Sequence, residues 1–220
     1  MKSNYQIIYL FFVNLILVSV IYPNSKSIAI CLNIKGQVFR EGHVRKGHMR
    51  QGDSIYDGDK IIINERGFLS FMFIKDKTIV DAYENSIIKV LDKANATEFK
   101  SNVALFGGKV IVQMEEINNG KFILDAPSST VIASNAHFIA EFKNDVVFNH
   151  LSYAIFTSLL GKIEIENLIS ENFMNVKRGE TVISTLEGKF LPLDTFRNQQ
   201  FIEQTLREVT NSLNVCSINC

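Results

Sequence analysis

From Gly36 to Pro192 short runs of β-branched and aromatic residues alternate with clusters of turn-forming residues, the pattern of strands separated by reversals. Side chains on a strand alternate between its two faces. Phe68-Leu69-Ser70-Phe71-Met72-Phe73-Ile74 therefore sends Leu69, Phe71 and Phe73 one way and Phe68, Met72 and Ile74, with Ser70, the other. This strand is expected to be buried on both faces and to sit centrally. Lys75-Asp76-Lys77 is a polar break before Thr78-Ile79-Val80. Asn119-Gly120 lies between Val110-Ile111-Val112 and Phe122-Ile123-Leu124, and because Asn-Gly tolerates positive φ, these two runs are predicted to form a hairpin. Further breaks fall at Pro127-Ser128-Ser129, Lys143-Asn144-Asp145, Gly161-Lys162, Lys177-Arg178-Gly179 and Glu187-Gly188-Lys189. The predicted body is all-β, an antiparallel sandwich or roll of many short strands.

The two ends follow other rules. After Pro192 the apolar positions Phe196, Phe201-Ile202, Leu206, Val209 and Leu213 recur at helical spacing with Glu203, Arg207 and Glu208 between them, which predicts a C-terminal amphipathic helix. Asp194 or Thr195 would be its N-cap. Such a helix either docks on the β body or meets a partner helix. At the start, Lys2 precedes an apolar run from Ile7 to Tyr22 broken only by Asn14 and Ser19, and Pro23, Ser25 and Ser27 follow. That is the pattern of a signal peptide, too short to span a bilayer comfortably, with cleavage expected after Ser27 or Ala29. Left uncleaved, it would be a membrane tether, and either way the body lies outside the cytoplasm. Ile30 before Cys31 is too large for a lipobox. The expected organisation is a signal peptide at 1–27, a β domain at 28–192 and a helix with tail at 193–220.

Composition narrows the function classes. The 23 basic and 23 acidic side chains balance, so the footprint of a nucleic-acid binder is missing and no nucleic-acid partner is expected. Removing 1–27 takes away Lys2 and Lys26 and no acidic residue, leaving a net charge of about −2, which neither attracts nor excludes most partners. Seventeen Phe residues and only three Pro suit a chain that buries a sizeable core. In an oxidising compartment Cys216 and Cys220 could pair, leaving Cys31 over.

The most informative stretch is a six-residue duplication, Gly52-Asp53-Ser54-Ile55 followed by Gly58-Asp59-Lys60-Ile61. Each Gly-Asp reads as a turn in which glycine supplies positive φ, the carboxylate bonds nearby backbone N–H groups, and the Ile two residues on enters the core. The rival is a cation site from Asp53, Asp57 and Asp59, but their spacing does not fit an EF-hand loop and three carboxylates fall short of calcium's six to eight ligands.

Gly36-x-Val38, the two Gly-Asp units, Gly67-Phe68-Leu69-Ser70-Phe71 and Lys75-Asp76-Lys77-Thr78-Ile79 together resemble the FecR-type periplasmic domain. Gly107-Gly108-Lys109-Val110, Gly161-Lys162-Ile163-Glu164-Ile165 and Val176-Lys177-Arg178-Gly179-Glu180 are similar to that family's later strands. The resemblance covers roughly residues 36–185. It implies a β domain outside the membrane that works by contact with other molecules. Two departures stand out: Asn135-Ala136-His137 replaces the family's Arg-Gly-Thr ahead of Phe138, and Lys75-Asp76-Lys77 replaces its Asp-Gly-Ser turn. Only six residues precede the apolar run, too few for the cytoplasmic anti-sigma segment of the best-known members, so a stand-alone exported domain is the expectation.

No nucleophile elbow, His-Glu-x-x-His or phosphate loop is present, and no catalytic residue, cofactor or metal site is assigned. His43 and His48 would fall on opposite faces of a strand. Arg45, Lys46 and Arg50 form a basic cluster that is either an anion or partner patch or a charged edge strand guarded against aggregation. Glu164 and Glu166 alternate with Ile163 and Ile165 as on a half-exposed strand, and His137 and His150 read as structural. The sequence thus points to a periplasmic or secreted binding or signalling module whose partner is an envelope protein or glycan. The alternative is an exported enzyme with a discontinuous site acting on cell-wall or polysaccharide material.

Overall fold

At nine of the places where the chain leaves one β-sheet for the other, a residue in the left-handed region makes the corner. The structure, a computed structural model, describes residues 26–92, 102–115, 120–144 and 152–194. Nearly all of the signal-peptide segment, Asn119, His150, the tail cysteines and all but the first residues of the C-terminal segment lie outside them. In chain order the strands are β1 (Ser27–Lys35), β2 (Val38–Glu41), β3 (Lys46–His48), β4 (Ser54–Tyr56), β5 (Lys60–Ile63), β6 (Phe68–Phe73), β7 (Ile79–Ala82), β8 (Ser86–Val90) and β9 (Val103–Gln113). Then come β10 (Phe122–Ala126), β11 (Ser129–Ala133), β12 (His137–Lys143), β13 (Tyr153–Leu160), β14 (Ile163–Asn167), β15 (Phe173–Val176), β16 (Thr181–Thr185) and β17 (Phe190–Pro192).

The first sheet runs β4-β1-β6-β7-β9-β12-β13-β16-β17 and the second β3-β2-β5-β8-β9-β10-β11-β14-β15. The corners hold Gly36, Gly52, Gly58, Arg66, Asn85, Asn135, Gly161 and Gly179, and Gly108 bends β9 itself. The start of β9 belongs to the second sheet, pairing with β8 and β10, while its end belongs to the first, pairing with β7 and β12. Every pairing is antiparallel except β9 with β10. The all-β expectation therefore holds.

One core fills the space between the sheets. Phe122 of the second sheet stands between Phe73 and Phe138 of the first, with ring centroids 5.9 and 6.3 Å apart, close enough for aromatic contact. β6 sits between β1 and β7, centrally as expected, with Leu69, Phe71 and Phe73 buried. Its other face departs from expectation: Phe68 and Met72 are half-buried and Ile74, just past the strand, is 42 % exposed, because only one face of a sandwich sheet meets the core.

The predicted hairpin between Val110-Val112 and Phe122-Leu124 does not form. Val110, Ile111 and Val112 already have β7 on one side and β12 on the other, so that part of β9 has no free edge. The Phe122 strand returns instead beside the beginning of β9, where Leu124 faces Val103 in parallel. Asn102 supports this join, its side-chain oxygen accepting from Ile123 N at 3.0 Å while its own N–H donates to Ile123 O at 2.7 Å.

Candidate functional site

The Gly-Asp duplication builds two sheet-to-sheet corners of one design, β3 to β4 and β4 to β5. Asp53 N donates to Arg50 O at 3.1 Å, closing a turn with Gly52 at its third position at φ 82°, and Asp59 N repeats this on Tyr56 O at 3.1 Å with Gly58 at φ 82°. Positive φ there, without it at the second position, is the signature of a type II turn and selects glycine. Each carboxylate then turns back: Asp53 Oδ2 accepts from Arg50 N at 2.9 Å and Asp59 Oδ2 from Tyr56 N at 3.0 Å. The corner next clips onto a neighbouring strand. Gly52 N donates to Cys31 O and Cys31 N to Asp53 O, while Gly58 N donates to Val90 O and Val90 N to Asp59 O, all at 2.9 Å. Ile55 and Ile61 follow, both fully buried.

A third copy went unread in the sequence. Between β15 and β16, Glu180 N donates to Lys177 O at 3.0 Å, Gly179 has φ 83°, Glu180 Oε2 accepts from Lys177 N at 2.8 Å, and the clip onto β13 repeats, with Gly179 N donating to Ser158 O at 2.7 Å and Ser158 N to Glu180 O at 3.1 Å. Val182 takes the place of the Ile and is buried. The signal was present as Gly179-Glu180-x-Val182, with glutamate in place of aspartate.

Surroundings separate the first two corners. Asp53 lies at the surface with Arg45 3.6 Å away. Asp59 is sealed, and the buried Arg40 guanidinium reaches its Oδ2 at 3.8 Å while donating to Ser54 O at 2.7 Å. Asp59 Oδ1 and Arg40 Nε have no hydrogen-bond partner. Burial pushes the Asp59 carboxyl above the usual carboxylate range, and the Tyr56 N–H and Arg40 only partly oppose it. Gly42 closes the lid, since a Cβ there would overlap Asp59 Oδ1. The pattern Val38-Phe39-Arg40 already put Arg40 on the face of buried Val38.

The three aspartates of the cation alternative do not converge. Asp53 and Asp59 each serve their own turn, and Asp57 Oδ1 accepts from Asp92 N at 2.8 Å. The clip at Cys31 also sets that thiol's chemistry: it is buried, and burial together with the nearby Asp53 charge pushes it up to about 11, so it stays a protonated core side chain.

Arg45, Lys46 and Arg50 lie exposed along the β2–β3 hairpin, and among the described residues β3 pairs only with β2, which makes it an edge. His48 stacks edge-on against Phe39, 4.8 Å between centroids, and His43 lies in the bend before β3 rather than on a strand. His137 Nε2 lies 3.1 Å from Met114 O. Its side chain lines a groove of about 370 Å³ with Lys77, Ile79, Gln113, Met114, Glu115 and Leu160, next to the Asn135-Ala136 corner where this chain departs from the FecR-type signature. A buried polar cluster unread in the sequence ties the two sheets: Asn167 Nδ2 donates to Ser184 Oγ at 2.7 Å and to Thr185 O at 3.0 Å, and Ser129 Oγ reaches Ser184 Oγ at 2.6 Å. These side chains are satisfied by one another, as buried polar groups must be, and they hold structure.

No protein-family model matches the chain, and no curated protein matches it. Among solved structures it is similar to a candidate anti-sigma factor from Parabacteroides distasonis ATCC 8503, seen in two crystal structures. Identity is 18 % in one and 19 % in the other, each with a TM-score of 0.46 over 60 % of this chain and 57 % of that one. The chain thus spans little more than half the length of the structures it matches.

Proposed function

We propose that this chain is an exported, non-catalytic binding or signalling module of FecR-like type, periplasmic or secreted, that acts by contact with an envelope protein or glycan. The observation that carries the reading is the Gly-acid corner. The Gly-acid units, which are among the residues that carry the resemblance, recur as one hydrogen-bonded device at three places where the chain changes sheets, which supports reading them as part of the fold's construction. Among the described residues, buried polar side chains are engaged in bonds that hold the fold, Asp59 in its corner, Ser86 on Lys109, Asn102 at the β9–β10 join and the Asn167 cluster. What faces solvent around β3 is a surface suited to contact, with Lys46 and Arg50 open to a partner carrying acidic groups and Arg45 beside them on Asp53.

The export half of the proposal takes residues 1–27 as a signal peptide. Ala29 is fully buried and pairs with both Ile55 and Phe73, which favours a cut after Ser27 over one after Ala29. N-terminal sequencing of native material should begin at Ile28, and intact Met1 would make the segment a tether. For the contact itself, the immobilised mature protein is passed through envelope extract. One discrete protein or glycan should be retained, and Lys46→Glu with Arg50→Glu should release it. Saturating assays that retain nothing would end the proposal.

A further inference from the structure

Leu168, Ile169, Phe173 and Met174 are 47, 59, 59 and 36 % exposed and gather on one hairpin. Asn167 and Glu171 close its turn, Asn172 O accepts from Asn167 N at 2.9 Å, and Phe173 faces Glu166 across β14 and β15. β15 is the last strand of its sheet, and its first three residues, Phe173, Met174 and Asn175, are all exposed. Contiguous apolar surface on a free edge normally marks an interaction site.

We infer that this apolar edge is the docking site of the chain's own C-terminal segment, residues 195–220. Three observations single out that occupant. β17, the last strand of the other sheet, lies at the same end of the molecule, and its hairpin touches the β14–β15 turn where Gly188 meets Ser170. The chain leaves β17 at Pro192, opposite Val182, just past the Gly179 corner that follows β15. It then carries Phe196, Phe201, Ile202, Leu206, Val209 and Leu213, an apolar stripe that as a helix of roughly 27 Å would span the edge with length to spare. A stripe tethered this close meets the patch at a high effective concentration, ahead of any free competitor. Docked there, it would cover the one apolar sheet edge of the described residues and withhold it from pairing with other chains.

The test uses the full chain with a benzophenone photo-cross-linker in place of Phe173, an exposed position that tolerates the change. Irradiation should give a product of monomer mass in which position 173 is joined to a peptide from 195–220. Phe201→Asp with Leu206→Asp should lower its yield roughly tenfold, since two apolar contacts are lost. The same cross-linker at Val44, exposed on the opposite edge, should give no such product. A dimer-mass product, no cross-link into 195–220, insensitivity to the aspartate pair, or an equal yield from Val44 would each overturn the assignment.

Discussion

The corners at Gly52-Asp53 and Gly58-Asp59 share a sequence and a set of hydrogen bonds, yet one is partly open to solvent and the other is shut inside. Asp53 side-chain exposure is 21 % beside an Arg45 that is 56 % exposed, whereas Asp59 and Arg40 are at 0 and 4 %. A turn motif therefore fixes how the chain bends without fixing what the bend costs. In the first corner water can replace any bond the carboxylate loses. In the second nothing can, and a buried ion pair with an orphaned oxygen gives back little of its desolvation cost.

Substitutions should break this comparison in a definite order. Gly42→Ala acts on the buried corner alone, because its Cβ overlaps Asp59 Oδ1, and chemical denaturation should show a loss of about 3 kcal/mol. Next, Asp59→Ala leaves the Tyr56 N–H without an acceptor in a dry site, for about 2 kcal/mol. The same change at Asp53 should cost less than about 1 kcal/mol, as water reaches the Arg50 N–H; equal losses would show that burial does not distinguish the corners. Gly52→Val and Gly58→Val should then resemble each other, at about 1–2 kcal/mol, since a Cβ at either meets open space and only the φ of 82° is strained.

The smallest effect is in pH. Asp59 is raised when folded, so the native state holds its proton more tightly than the unfolded chain does. The stability this brings is complete below the ordinary carboxylate value of about 3.9 and is lost as pH rises through the raised one. The melting temperature of the wild type minus that of Asp59→Asn should accordingly fall as pH is raised across that window. A flat difference would mean that Arg40 neutralises the carboxylate after all.

What was legible in the sequence was local. The Gly-Asp turns, the alternation of Ile163 to Glu166, the break at Lys75-Asp76-Lys77 and the central Phe68 strand each depend on residues a few positions apart, and each appears in the structure. What escaped was set by distant neighbours. Asn119-Gly120 looked like a hairpin because nothing local shows that Val110 to Val112 are already flanked by strands from either side. Asp53 and Asp59 looked equivalent because the arginine that seals the second comes from another strand. The third corner was hidden by a Glu for Asp exchange that leaves its bonding unchanged.

Bent at Gly108, β9 is the middle strand of both sheets, with β1 to β8 on one side of it and β10 to β17 on the other. Neither half can melt away without stripping a face of this strand, so the two should unfold together as one cooperative block, and hydrogen exchange at Val110 and Val112 should proceed only through global opening. Its partners lie far along the chain in both directions, and one of its pairings is parallel. Such a seam closes late, which makes folding slow relative to a protein of local hairpins.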